Sequence, residues 1–253
     1  MSSLDPDVTQ DDFLGGRLTL LQPKAGYRAG VDPVLLAASV EAKPGETLLD
    51  LGCGVGTAAL CAAERVPGLL VTGLEVQDRY ATLARRNGAE NEIAFEVLTG
   101  DLAQMPDTLK ARQFKHVIAN PPYFDRRKST AADAPDKERA LGEDTPLSTW
   151  VHEAAKRAAP GGTVTFIHRV ERLPDLLNAF QARLGSLELL PFVPRESKRP
   201  KIVLLRGKKG GRAEFRLSTP MILHDGAAHD GDRESYTTWA SAVLRDGVEL
   251  PIS

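Results

Sequence analysis

The sequence predicts an α/β fold in which a doubly wound, mostly parallel sheet is closed by an antiparallel hairpin near the C-terminus. Three observations predict it. Short apolar runs at residues 47–51, 69–74, 93–98, 114–119 and 163–167 alternate with stretches of helical periodicity. The first four of these runs each end in a residue suited to a ligand: a glycine turn, Glu75, Asp101 and Asn120. Finally, the runs 187–193 and 201–205 are separated only by residues 194–200, too few for a crossover helix, so they must pair antiparallel. Sites lined along the carboxyl ends of alternating strands are the mark of the doubly wound architecture.

At 253 residues with 42% apolar content, the chain can bury one good-sized core. A single domain is expected over residues 13–253, with its core at 45–206 and an edge strand and closing helix at 207–253. Residues 1–12 carry four aspartates and little that packs, and are expected to be a disordered acidic tail. Cys53 and Cys61 are too few for a disulfide framework and read as reduced thiols in a cytosolic protein. No signal core and no membrane-length apolar stretch is present. The five histidines show no ligand spacing, so no metal is expected.

Within the chain order, residues 17–22 alternate loosely and suggest a short strand. Asp32 before Pro33 reads as an N-cap followed by proline at the first helical position. Leu51-Gly52-Cys53-Gly54-Val55-Gly56 is a strand entering a glycine turn, with a helix predicted over 57–65. Its spacing lacks the dinucleotide fingerprint, and Asp50 leading into the turn would repel a diphosphate but tolerate a cationic ligand. Glu75 lies about twenty residues past the turn, where an acid can take ribose hydroxyls; a helix-cap carboxylate before the predicted helix at 77–87 is the competing role. Asp101 and Leu102 could offer a carboxylate to an adenine amino group and an apolar side chain to its ring. Further helices are predicted at 146–158, 173–184 and 236–244, a glycine-lysine linker at 207–211, an edge strand at 215–223, and a mobile stretch at 226–232.

The stretch with the most chemistry is Asn120-Pro121-Pro122-Tyr123. Two prolines directly after a buried strand make a stiff loop, because proline cannot extend a ladder. It presents a carboxamide, fixed carbonyls and an aromatic ring. The Asn120 side-chain oxygen and the Pro121 carbonyl can each accept one hydrogen of an amino group whose plane lies against Tyr123. Held that way, a delocalised amino nitrogen is aimed at an electrophile by orientation alone. A plain proline-rich turn remains the alternative.

Net charge is −2, yet residues 195–212 hold eight bases against one acid, +7, leaving −9 for the remainder. One basic face on an acidic body suits one polyanionic partner. Lys198, Arg199 and Lys201 sit in the hairpin turn, and Arg126, Arg127 and Lys128 follow the proline turn in a long polar loop at 124–145; both are candidate RNA contacts, a solvated charge run being the alternative for the loop.

In order and spacing, the glycine turn, Glu75, Asp101 and Asn-Pro-Pro-Tyr resemble a Rossmann-like class I methyltransferase using S-adenosylmethionine. Gly26-Tyr27-Arg28-Ala29-Gly30-Val31-Asp32 and Arg199-Pro200-Lys201-Ile202-Val203-Leu204-Leu205 resemble the bacterial tRNA(Val) adenine N6-methyltransferase family. That resemblance implies that Asn120, Pro121, Pro122 and Tyr123 hold a flipped adenine beside the anticodon. It also implies that Asp50, Gly52, Gly54, Gly56, Glu75, Asp101, Leu102 and Asn120 surround the methyl donor. Enzymes methylating a guanine amino group in rRNA or a protein glutamine share similar motifs, and an RNA-binding module retaining the fold is the non-enzymatic alternative.

Overall fold

The computed structural model describes residues 7–125, 142–143, 145–226 and 235–251. Chain order begins with a hairpin of β1 (Val8–Phe13) and β2 (Leu18–Pro23), followed by α1 (Val31–Ala38). The alternating core then runs β3 (Thr47–Leu51), α2 (Thr57–Arg65), β4 (Leu70–Glu75), α3 (Asp78–Glu90), β5 (Phe95–Thr99), α4 (Asp107–Lys110) and β6 (Phe114–Ala119). Two-residue strands β7 (Phe124–Asp125) and β8 (Gly142–Glu143) pair in parallel. There follow α5 (Leu147–Arg157), β9 (Ala158–Arg169), α6 (Leu173–Gln181), β10 (Gly185–Val193), β11 (Ile202–Lys208), β12 (Arg216–Leu217), β13 (Met221–Ile222) and α7 (Thr238–Asp246).

The main sheet has the order β12-β10-β11-β9-β6-β3-β4-β5. From β9 to β5 every neighbouring pair is parallel, and β11 lies antiparallel between β9 and β10. The expected antiparallel hairpin is therefore present, with its second strand inserted next to the parallel block. Chain direction through the sheet reverses between β3 and β6, and this switch point is where an open α/β sheet leaves a crevice at its carboxyl edge.

Alternation along each strand divides the core between two faces. Leu48, Ile118, Ile167 and Leu204 face α1, α2 and α7, whereas Leu49, Val117, Val164, Phe166 and Leu205 face α5 and α6. A fully buried leucine or phenylalanine contributes roughly 1.5–3 kcal/mol, so these two clusters dominate the stability of the sheet.

Five expectations change. Residues 8–12 belong to β1 rather than to a frayed tail, because Val8 packs against Leu21, Val55, Tyr80 and Leu83, and Asp11 is held by Arg28 at 2.8 Å and by Gln22 at 3.0 Å. Asp11 and Asp12, read as solvated, are cross-strand and tertiary partners. Asp32 does not cap α1: the helix starts at Val31, Gly30 caps it without a side-chain bond, and Asp32 turns elsewhere. β9 begins at Ala158 and continues through Pro160-Gly161-Gly162, where a register shift against β6 and a φ of +70° at Gly161 absorb the break. The expected edge strand is split into β12 and β13, both parallel to β10, with Pro220, which has no N–H to give the ladder, lying between them. The glycine-lysine linker expected from Gly207 starts later, since β11 runs to Lys208. The mobile stretch predicted at 226–232 lies, beyond Gly226, outside the described residues.

Candidate active site

The glycine turn is wired to its neighbours through backbone groups. Gly52 and Cys53 N–H donate to the Leu74 carbonyl at 2.7 and 3.0 Å, and Gly56 N–H closes on the Cys53 carbonyl at 2.8 Å. Gly52, Gly54 and Gly56 have φ of +68°, +56° and +89°, values that side-chain-bearing residues avoid. A Cβ on Gly52 would lie 2.6 Å from the Trp150 ring, so the turn is pressed against α5. A Cβ on Gly54 would meet nothing nearer than Tyr27 at 4.0 Å, so that side of the turn is open. At the start of α2 the buried Thr57 Oγ1 has no partner among the described residues.

Glu75 takes the capping role considered for it. Its Oε2 accepts the Gly54 N–H at 2.9 Å and its Oε1 the Gln77 N–H at 2.8 Å, tying the glycine turn to the entry of α3. Burial pushes its pKa up, against the pull of these N–H groups. One lone pair on each oxygen remains for a hydroxyl. Asp50 is buried, and its carboxylate takes the Ala59 amide; burial pushes it up to about 8, with Glu75 adding to the rise. A carboxyl raised in this way repels a diphosphate less than a free carboxylate would, and the exclusion of a dinucleotide rests on the glycine spacing instead. A cation bound beside it would draw the proton off.

Asp101 is half-exposed and accepts the Ala103 N–H at 2.8 Å in the loop after β5. Leu102 differs from expectation: it is buried in the core cluster with Leu74 and Met105 rather than open to a ring. An apolar side chain free at this edge is Val76, 60% exposed directly after Glu75, a position missed because a lone valine in sequence gives no sign that it will lack neighbours.

Asn120 leaves β6 at the switch point. Its Nδ2 donates to the Tyr27 hydroxyl at 3.2 Å, and its Oδ1 is buried with no partner among the described residues. Tyr27 is itself fixed, because the Tyr80 hydroxyl accepts the Tyr27 N–H at 2.9 Å and donates to the Tyr27 carbonyl at 3.3 Å. Burial, then Asp32 and Asp50 nearby, push the Tyr27 phenol well up, so it keeps its proton and offers a lone pair to the amide. Tyr123 donates its hydroxyl hydrogen to Asp32, and the Arg169 guanidinium sits 5.2 Å above its ring. Burial raises Asp32, partly offset by Tyr123 and Arg169. The first helix thus helps form the site through Asp32. In the sequence Tyr27 was visible only as a member of a motif, and Asp32 as a motif member and helix cap; their partners Asn120 and Tyr123 are 93 and 91 residues away.

The basic turn between β10 and β11 stands at the same edge, because Ile202 pairs with Arg169 at the end of β9. Lys198, Arg199 and Lys201 are exposed. Arg195 is buried and bonds the Asp225 and Gly226 carbonyls and Ser235, and Arg206 pairs with Glu41 and Glu188, so both charges are used within the fold. Arg126, Arg127 and Lys128 lie outside the described residues. Among the described residues no helix is long and apolar enough to cross a membrane.

A parallel sheet of this order, with one antiparallel strand inserted beside its last parallel member and a glycine turn at the switch point, is the class I methyltransferase sheet, and the chain has that fold. Residues 29–136 match the family described as the methyltransferase small domain. More particularly, the chain is 29% identical over 228 residues to the tRNA1(Val) (adenine(37)-N6)-methyltransferase of Porphyromonas gingivalis, covering 85% of this chain and 88% of that one. The enzyme of the same description from Dickeya chrysanthemi is 27% identical, with 95% of both chains covered. A solved structure from Agrobacterium tumefaciens, described as a predicted O-methyltransferase, shares the fold with a TM-score of 0.68 at 24% identity, over 86% of this chain and 97% of that one. The resemblance drawn from the sequence is borne out by these relatives.

Proposed function

We propose that this protein, acting in the cytosol, transfers a methyl group from S-adenosylmethionine to the exocyclic amino group of adenine in RNA, with a tRNA anticodon-loop adenine as the target. The observation that carries it is Asn120 Oδ1, a buried acceptor with no donor, turned away from Tyr27 at the end of β6. Such an atom costs about 1–3 kcal/mol in a fold unless something fills it, and an amino group does so. Relatives along most of the chain are described as adenine N6-methyltransferases, which supports the same reading.

The glycine turn, Glu75, Val76 and the unpartnered Thr57 Oγ1 fit the donor: close backbone approach, a hydroxyl-binding carboxylate, an apolar platform and a spare hydrogen bond. Bound there, S-adenosylmethionine supplies an electrophilic methyl group. Asn120 Oδ1 and the Pro121 carbonyl each accept one amino hydrogen, which sets the nitrogen's lone pair out of the ring plane. Tyr27 holds the carboxamide so that its oxygen, not its nitrogen, meets the substrate. Tyr123, steadied by Asp32 and Arg169, carries the extruded base, whose unstacking costs about a few kcal/mol and less in a loop than in a duplex. No general base is required, since the methylated nitrogen is acidic and releases its proton to water. Lys198, Arg199 and Lys201 face phosphates.

The test is mass spectrometry of nucleosides from tRNA and rRNA fractions incubated with the protein and isotopically labelled donor. Label in N6-methyladenosine from tRNA is expected; label in a methylated guanosine, or in neither, refutes the assignment.

A further inference from the structure

A second buried polar atom without a partner stands beside the Asn-Pro-Pro-Tyr turn. Ala119 of β6 pairs with Phe166 of β9, so His168, two residues past that pair near the end of β9, lies beside the turn that leaves β6. His168 is fully buried, and its ring centroid is 5.4 Å from that of Tyr123 at an interplanar angle of 53°. Its Nδ1 accepts the Arg169 N–H at 2.8 Å, which puts the ring proton on Nε2. That Nε2–H meets no acceptor among the described residues. Burial, with Arg172 and Arg169 close by, lowers the imidazole to about 4, so the ring stays neutral and has this single N–H to give.

Asn120 Oδ1 and His168 Nε2–H thus form a complementary couple, one acceptor lacking a donor and one donor lacking an acceptor, on neighbouring strands at the same edge. We propose that His168 is a specificity-determining residue: its Nε2–H donates to a ring nitrogen of the target base next to the amino group held by Asn120. This rests on the reading of the site as an adenine methyltransferase. Adenine's amino group is flanked on both sides by ring-nitrogen acceptors, N1 and N7. Guanine's 2-amino group has an acceptor on one side and the N1–H donor on the other, so a fixed donor at His168 opposes one of its two orientations. Leaving a buried polar group unpaired is what makes such a site reject the wrong partner strongly.

The experiment uses a synthetic anticodon stem-loop whose target position carries adenine, 1-deazaadenine or 7-deazaadenine, and compares kcat/KM for the parent, His168→Phe, His168→Leu and His168→Gln. The parent should discriminate against one of the two deaza bases by roughly 10-fold or more beyond the other. His168→Phe and His168→Leu should lose most of that difference, whereas His168→Gln, which keeps an N–H donor, should retain part of it. Donor affinity, measured by calorimetry, should be the same in all four proteins. Equal discrimination in the parent and in whichever of the Phe and Leu variants folds overturns the proposal. So does a parent that accepts both deaza bases as it accepts adenine, a result that needs no variant. A parent that binds the donor yet methylates no adenine in RNA refutes the functional reading itself, and this inference with it.

Discussion

Replacing Asn120 with alanine should separate activity from stability in opposite directions. The side chain has two polar ends in different states: Nδ2 makes one hydrogen bond to Tyr27, and Oδ1 is buried and unpaired. Truncation removes the first, worth about 1 kcal/mol net, and relieves the second, which costs about 1–3 kcal/mol. The balance is from about zero to about 2 kcal/mol in favour of the variant. For a chain of this size each kcal/mol moves Tm by about 2–4 °C, so Tm should hold or rise by a few degrees. Catalysis should fall the other way. Loss of one preorganised hydrogen-bonding group aimed at the reacting centre typically costs a factor of about 10² to 10³ in kcat, or roughly 2.7–4 kcal/mol. The assay is transfer of labelled methyl to tRNA at saturating donor, with scanning calorimetry and a donor titration on the same preparations. A kcat within a few-fold of the parent would show that the carboxamide does not orient the nucleophile. A Tm lowered by more than about 4 °C would show that Oδ1 is satisfied in the folded protein.

Three further outcomes are expected. Gly52→Ala places a Cβ 2.6 Å from the Trp150 ring at a φ of +68°. It should destabilise by about 2–4 kcal/mol in urea denaturation and weaken donor binding in calorimetry; an unchanged urea midpoint would mean that the turn and α5 are not in contact. Neutralising Lys198, Arg199 and Lys201 together should reduce the slope of log K against log salt for tRNA by about 2–3 units, with donor affinity unchanged, and an unaltered slope would move the RNA surface elsewhere. His168 is lowered from its ordinary 6.5 to about 4, so the unfolded chain protonates it first as the pH drops. Its share of stability is complete above pH 6.5 and is lost progressively between about 6.5 and 4, on the order of 3 kcal/mol. The urea midpoint of the parent should drop further between pH 7.5 and 5 than that of His168→Gln; parallel declines would contradict this.

The order of the chemistry along the chain is legible in the amino-acid sequence, because it depends on local rules. Apolar runs of strand length followed by glycine, acid or Asn-Pro-Pro must end at the carboxyl edge of a parallel sheet, and Gly52, Glu75, Asp101 and Asn120 are there. The helix at 57–65 and the strand at 114–119 have the bounds expected, since Gly56 and Asn120-Pro121 punctuate them. What only the tertiary structure decided is which groups are spent and which are left over. Arg195 and Lys198 look alike in one basic run, yet one is buried against Ser235 and the other is exposed. Asp11 and Asp32 read as a tail charge and a helix cap, and became partners of Arg28 and of Tyr123, 17 and 91 residues distant. Local sequence sets backbone preference and burial pattern because those depend on neighbours within a few residues. Whether a carboxamide oxygen or an imidazole N–H ends up unpaired depends on side chains brought together from the whole length of the chain.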